Sequence, residues 1–272
     1  MNINLKDIKT LIRAELLNVT FRNTRPLTFF RKQAVNALKN VSFNMSYGEC
    51  LGIVGESGSG KSTLISALCK LIPLTSGSIF IDDRDVTHLS WREFNHYRKI
   101  VQIVFQDFCN ALNPRLTVEQ ILLEPLDIHF GYTSKEWKID RIKSLLNMVL
   151  LPQSLLSRYP HQLSGGQRQR VSIARTLAVE PKLLICDEIV SALDVSSQAQ
   201  ILNLLKLLNE NHGIAILFIS HDIAVIEYLC ENIMVMKDGM VIECGSSEMI
   251  CTDPQHPYTK ELISSVPSIQ LC

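Results

Sequence analysis

The sequence predicts an α/β fold built on a sheet rich in parallel strands, and three observations carry that expectation. Short apolar runs rich in branched residues alternate with longer stretches of helical period. Three of these runs, Leu51 to Val54, Leu183 to Cys186 and Ile214 to Ile219, each deliver polar residues at a carboxyl end, where parallel sheets bind ligands. From about Asp107 to Ala178 the pattern turns helical, with LTVEQILLEPL, DRIKSLLNMVLL and GQRQRVSIARTLA carrying apolar residues at helix spacing, which predicts an inserted helical subdomain.

The bulk composition narrows the function classes. The chain has 272 residues, 46% of them hydrophobic, enough for a well-buried core, and without repeats or low-complexity segments it reads as one domain. Lys plus Arg and Asp plus Glu number 27 each, so no net basic field favours polyanions, and nucleic acid is not expected as a partner. The eight cysteines (Cys50, Cys69, Cys109, Cys186, Cys230, Cys244, Cys251, Cys272) show no CxxC or other metal-ligand spacing and mostly lie in apolar runs, so they are expected to be reduced core thiols in the cytosol. The charged amino end and the lack of a long apolar run predict neither a signal peptide nor a membrane span.

The first run leads into Gly55, Glu56, Ser57, Gly58, Ser59, Gly60, Lys61, Ser62 and Thr63, which fit G-x-x-x-x-G-K-[ST] between a strand and a helix expected from Lys61 to Leu71. Glycines let successive N–H groups turn inward around phosphate oxygens, and the helix N-terminus adds partial positive charge. Lys61 is expected on the β and γ phosphates of ATP and the Ser62 hydroxyl on Mg²⁺. The plainer alternative, a glycine-rich turn capping a helix, is disfavoured by the strand-loop-helix setting.

The second run ends in Asp187 and Glu188, two adjacent carboxylates whose side chains are expected to alternate in direction and so to take different jobs. Asp187 is the expected Mg²⁺ partner, and Glu188 is placed to polarise a water for attack on the γ-phosphate. Alone, such a pair is commonly two solvated strand-end acids; a phosphate loop expected elsewhere in the same sheet reverses that preference. After the third run, His221 is a candidate for contact with the γ-phosphate from another strand end.

Leu163, Ser164, Gly165, Gly166 and Gln167 precede RQRVSIARTL and offer a hydroxyl and close-approaching N–H groups at a helix start. An ordinary serine-capped helix is the plainer reading, but this five-residue string matches roughly one random position in a million. It resembles the signature of the ABC ATPase family. The resemblance implies a P-loop NTPase core with an N-terminal antiparallel β region and the helical subdomain at about 107–178. It implies an ABC ATP-binding domain over about 1–250 and a short tail over 251–272. It also implies that the signature completes the ATP site of a facing subunit, so that hydrolysis requires a cassette dimer. Gln106, in IVFQD, matches the glutamine loop that senses the γ-phosphate and metal. Ser191 to Asp194 matches the loop by which two cassettes feel each other, with Asp194 its acid, and His221 matches the switch histidine. Phe29 or Phe30, less so Phe21, is the candidate ring to stack on adenine; simple core packing is the alternative.

Asn110-Ala-Leu-Asn-Pro-Arg115 and Asp253-Pro-Gln-His-Pro-Tyr-Thr259, followed by KELISSVP, narrow the resemblance to the cassettes of oligopeptide, dipeptide and nickel importers. That implies a second ATPase subunit, two membrane permease subunits, indirectly a solute-binding protein, and a place on the cytoplasmic face of the membrane. The chain is expected to be similar to the shorter members, without the cysteine-containing extension of many peptide-importer cassettes, and Ile189 stands where proline or alanine is usual after the catalytic glutamate. The alternatives are a soluble ABC ATPase acting on nucleic acid or ribosomes, against which stand the neutral charge and the absence of heptad arms, and a P-loop kinase, which has no use for the signature. Arg168, Arg170 and Arg175 suggest a polyanion site less than a solvated helix face or ion pairs.

Overall fold

The computed structural model describes residues 9–22, 34–105, 111–191 and 193–264. By contacts the chain forms two compact units, Met1–Tyr97 with Phe218–Cys272, and Arg98–Leu217. In chain order the first unit holds β1 (Thr10–Arg22), β2 (Ala34–Ser46), β3 (Cys50–Val54), α1 (Lys61–Leu68), β4 (Ser76–Ile81) and β5 (Arg84–Asp85). Helix α2 (Asn95–Ile100) leads into the second unit, with β6 (Val101–Val104), α3 (Val118–Phe130), α4 (Lys135–Met148), α5 (Gly165–Leu177), β7 (Leu183–Asp187) and α6 (Val195–His212). Strand β8 (Ala215–Ser220) returns the chain to the first unit, which ends with α7 (Ile223–Leu229), β9 (Asn232–Lys237), β10 (Met240–Ser246), α8 (Ser247–Thr252) and α9 (Pro257–Ser264).

In the first unit an antiparallel sheet runs in the order β2-β1-β4-β5. Asp82 and Asp83 turn the β4–β5 hairpin with φ of 52° and 61°, the two left-handed positions of a type I′ turn. Aspartate tolerates that region. The Lys9 ammonium and the Tyr47 hydroxyl grip Asp82 and hold its carboxyl below the usual range. Separately, β3 pairs in parallel with β9 from Leu51↔Asn232 to Val54↔Val235, and β10 lies antiparallel on β9. All five β3 residues are buried, which explains the unbroken apolar run. Gly52 is required where α7 crosses, since a Cβ there would sit 2.1 Å from Ile226 Cγ2.

In the second unit β6 and β7 pair in parallel, from Val101↔Leu183 to Val104↔Cys186. The three long stretches of helical period become α3, α4 and α5. Helix α3 starts at a capping box between Thr117 and Gln120 and runs through Pro125. Helix α5 buries Val171, Ile173, Ala174 and Leu177, the stripe that its period predicts. The fold is the expected mixed α/β architecture, with an antiparallel N-terminal sheet and parallel pairing at β3, which leads to the loop from Gly55, and at β7, which leads to Asp187.

Three local expectations need correction. Helix α1 stops at Leu68, three residues short of Leu71, because Lys70 adopts φ of 55° and closes a Schellman motif, with Leu71 N–H donating to Ser66 O (2.8 Å) and Lys70 N–H to Ala67 O (3.0 Å). Helix α4 likewise ends at Met148 rather than Leu151, with Leu150 left-handed at φ of 57°. Not every described cysteine is a core thiol: Cys50, Cys186 and Cys230 are buried, Cys69 and Cys251 are half-buried, and Cys244 is exposed on β10. Burial pushes the Cys69 thiol up to about 12. Among the described residues no helix is long and apolar enough to cross a membrane.

Candidate functional site

In the first unit the loop after β3 is built around positive φ angles. Gly58 has φ of 85°, and Gly60, the N-cap of α1, has φ of 105° with no side-chain cap bond. A Cβ at Gly60 would lie 2.7 Å from Ala37 O and 3.3 Å from the Cα of Gly239, and one at Gly55 would lie 2.2 Å from Met236 O. At these two positions the backbone passes too close to its neighbours for any side chain. The first turn of α1 therefore directs N–H groups out of the helix end without a capping side chain to satisfy them.

Lys61 is 6% exposed, and its ammonium donates to Gly55 O (2.5 Å), Glu56 O (2.8 Å) and the Ser59 hydroxyl (3.3 Å). A long cation is thus folded back over the loop that precedes it. Behind the loop stands the β9–β10 hairpin, turned by Asp238 and Gly239 at φ of 50° and 80°. Gly239 N–H donates to Ser59 O (3.0 Å), while Gly239 O accepts from Lys39 N–H on β2 (2.8 Å). Ser57 and Ser62 are exposed and Thr63 half-buried, so the Ser62 hydroxyl stands at the surface of the helix start. His221 is exposed immediately after β8, and Asp222 caps α7 by accepting from Ala224 N–H (3.0 Å).

In the second unit β7 ends at Asp187, and Glu188 does not continue it. Its φ is 48°, a left-handed conformation that costs a non-glycine residue roughly 1–3 kcal/mol. The surroundings fix it: Glu188 O accepts from both the N–H (3.2 Å) and the hydroxyl (2.9 Å) of Ser191. The expectation of simple strand alternation is corrected accordingly. The chain turns after Asp187, so the strand does not run on through Glu188.

The signature begins α5 with a full capping box. Ser164 Oγ accepts from Gln167 N–H (3.2 Å) and Gln167 Oε1 accepts from Ser164 N–H (3.0 Å), while Leu163 is buried. Gly165 and Gly166 follow without side chains, and a Cβ at Gly166 would meet Ser197 Oγ at 3.3 Å. That serine belongs to the cap of α6, where Asp194 accepts from the Ser196 hydroxyl (2.7 Å) and from the Ser197 N–H (2.9 Å) and hydroxyl (2.8 Å). These bonds hold the Asp194 carboxyl down at about 2. The signature and the expected dimer loop thus meet through Ser197. The arginines behind the signature are bonded within the protein: Arg168 to Leu163 O at the head of the signature itself, Arg170 to Leu150 O and Gln200, and Arg175 to Ala111 O and Glu124. They are structural bonds, as the plainer reading expected.

The oxygen donors match the two groups the sequence implies. Taken separately, the surface hydroxyl of Ser62 in the first unit and the half-buried Asp187 in the second are each oxygen donors of the hard kind that Mg²⁺ takes. A loop that excludes a Cβ at Gly55 and Gly60, with one ammonium beside it, suits a polyphosphate. Gln106, Phe29 and Phe30 lie outside the described residues. Phe21, on β1, is exposed beside Val35. Two contributors escaped the sequence reading: Ser191 as the clamp on Glu188, and Gly239 as the support of the loop. For Gly239 the Asp-Gly dipeptide between apolar runs is a usable hairpin signal.

Comparison with known proteins agrees with this geometry. The family model for ABC transporters matches residues 38–191, and the model for the oligopeptide/dipeptide transporter C-terminal region matches residues 242–271. A Brucella ovis protein named as a peptide import ATP-binding protein is 47% identical over 238 residues, 88% of this chain and 75% of its own. The oligopeptide transport ATP-binding protein OppF of Haemophilus influenzae is 42% identical over 94% of this chain and 78% of its own. Among solved structures, a dimeric ATP-binding cassette, MJ0796, bound to ADP and Pi in a post-hydrolysis state, superposes with a TM-score of 0.75 at 34% identity, covering 87% of this chain and 99% of that one. The cbiO1 protein of Clostridium perfringens, part of the cbiONQ transporter complex, gives a TM-score of 0.77 at 29% identity, over 89% of this chain and 90% of that one.

Proposed function

The chain belongs to the ABC transporter family of ATP-binding cassettes, and from that premise we propose that it is the ATP-hydrolysing motor subunit of a peptide importer. The observation that carries the peptide reading is the second family match, to the oligopeptide/dipeptide transporter C-terminal region, over β10, α8 and α9. In this reading Gly55 to Thr63 wrap the phosphates, with Lys61 turning from its three loop oxygens to the β and γ phosphates. Ser62 and Asp187, with Gln106, would hold Mg²⁺, which would supply charge neutralisation at the phosphates. Glu188 takes the proton of the attacking water, and its strained backbone is anchored twice by Ser191. His221 contacts the γ-phosphate. Leu163 to Gln167 serve the ATP of a facing cassette, and Asp194 sits at the seam between cassettes.

Coupling to a permease has a candidate seat within the second unit. A groove of about 320 Å³ is lined by Phe105, Glu124, Pro125, Ile128, His129 and Arg175, among others. Phe105 and Ile128 are 48% and 70% exposed, large apolar side chains of the kind a short amphipathic helix covers. The groove includes Phe105, the residue before Gln106 in sequence.

The test is ATP hydrolysis by the chain assembled in lipid with its permease and binding protein, with Glu188→Gln as the blank. Stimulation by oligopeptides or dipeptides supports the proposal. Stimulation by chelated nickel alone reassigns the solute, and a turnover indifferent to every solute favours a soluble ATPase.

A further inference from the structure

We propose that Tyr258, on the C-terminal helix α9, is a positioning residue of the phosphate loop and sets the affinity of this chain for nucleotide. The inference rests on reading Gly55 to Thr63 as that loop. The Tyr258 hydroxyl accepts a hydrogen bond from Glu56 N–H at 3.0 Å, across 202 positions of sequence. Its residue is 3% exposed. The carbonyl of the same peptide unit belongs to Gly55, and it accepts from the Lys61 ammonium at 2.5 Å. A peptide unit is planar, so holding both its N–H and its oxygen fixes the plane against rotation.

That plane needs an outside hold. Gly55 has φ of 157° and cannot carry a side chain, because a Cβ would lie 2.2 Å from Met236 O. Glycine leaves the preceding torsions soft. Of the two holds, the Lys61 ammonium is the one for which a phosphate competes; the tyrosine hydroxyl is the one that remains when lysine turns to the nucleotide.

Tyr258 is itself well anchored. Glu243 on β10 accepts from the N–H groups of Gln255 (2.7 Å) and His256 (3.1 Å), at the start of α9. His256 Nδ1 accepts from Tyr258 N–H (3.1 Å), and the Lys237 ammonium lies 4.2 Å from the centroid of the Tyr258 ring. Burial pushes the phenol above its ordinary value of 10.0, so the hydroxyl stays neutral at working pH. The chain of contacts runs from β10 through the start of α9 to the head of the loop. The segment that marks peptide importers is thereby tied to the nucleotide site.

The experiment uses the full chain with Tyr258→Phe, which removes the hydroxyl and keeps the ring. Equilibrium binding of Mg-ATP and ADP is expected to weaken on the order of five-fold, the effect of one net hydrogen bond. KM for ATP rises with it, kcat at saturation stays within about two-fold, and the melting temperature moves by no more than about 2 °C. Tyr132→Phe, at an 85% exposed ring in the second unit, controls for the exchange itself and leaves affinity unchanged. Glu243→Gln, away from the loop, gives the same signature at about two-fold amplitude, because one of its two accepted bonds is weakened. Unchanged ATP affinity in both Tyr258→Phe and Glu243→Gln, with Lys61→Ala losing affinity, overturns the inference. So does a fall in kcat and melting temperature with no change in affinity, which would make the hydroxyl purely structural. If Lys61→Ala also binds ATP normally, the reading of the loop itself is what fails.

Discussion

Replacing Gly60 and Gly58 by alanine, one at a time, separates backbone strain from steric exclusion in the loop. Both glycines are left-handed, at φ of 105° and 85°, so each variant pays roughly 1–2 kcal/mol for placing an L side chain there. Both also regain about 0.4–1 kcal/mol because alanine narrows the unfolded ensemble. Their surroundings differ. The Gly58 Cβ meets nothing within 4 Å, whereas the Gly60 Cβ meets the backbone oxygen of Ala37 at 2.7 Å, with Gly239 Cα and Leu38 Cδ2 both at 3.3 Å. Backbone cannot rotate aside as a side-chain tip can, so Gly60→Ala carries an overpacking cost of about 1–3 kcal/mol in addition. The expected net destabilisation is about 1 kcal/mol for Gly58→Ala and about 3 kcal/mol for Gly60→Ala, or melting shifts of about 3 °C and about 9 °C. Thermal and urea melts of the nucleotide-free full chain measure the difference directly. Equal melting shifts would refute the reasoning, because they would show that the contacts with Ala37 and Gly239 place no constraint on the loop.

Glu188→Gln is expected to bind ATP normally and to lose at least about a hundred-fold in turnover, the usual worth of a general base; single-turnover hydrolysis reads it. Ser191→Ala removes the hydroxyl that holds Glu188 O at 2.9 Å, and a several-fold drop in kcat with unchanged ATP affinity is the expected result in the same assay. Ser164→Ala breaks the capping box of α5 and is expected to cost about 1 kcal/mol in a urea melt. Asp194 contributes stability that is complete above its unfolded value of 3.8 and is lost as pH falls through its folded value of about 2, because its folded carboxyl is depressed. The melting temperatures of wild type and Asp194→Ala should therefore converge between those two values, and a constant gap across them would contradict the assignment.

The elements read best from sequence are those whose chemistry is local. The loop from Gly55 to Thr63 and the string from Leu163 to Gln167 each lie within one turn and the start of one helix, so spacing alone places them. The apolar runs that became β3, β7 and β8 were legible because all their residues but the last of β7 are buried, which leaves no polar interruption. The departures in helix length and at Glu188 share a cause: they are left-handed residues that no propensity marks. Lys70 ends α1 early because its ammonium is drawn to Val86 O (2.9 Å) and Thr87 O (3.2 Å), oxygens that only the folded chain brings near. Glu188 turns because Ser191 binds its carbonyl. The bond from Glu56 to Tyr258 is farther still from sequence reasoning, since neither residue's neighbours hint at the other.

The tip of a β-hairpin is ordinarily where an epitope, a fluorophore or a fused domain can be grafted without harm. The Asp238-Gly239 tip is an exception, because Gly239 is bonded on one side to Ser59 and on the other to Lys39. A graft there would pry the nucleotide loop from the β2 strand, and a reporter placed at that tip would record its own disturbance. The turn around Tyr132, between α3 and α4, is the safer graft point, with its ring 85% exposed.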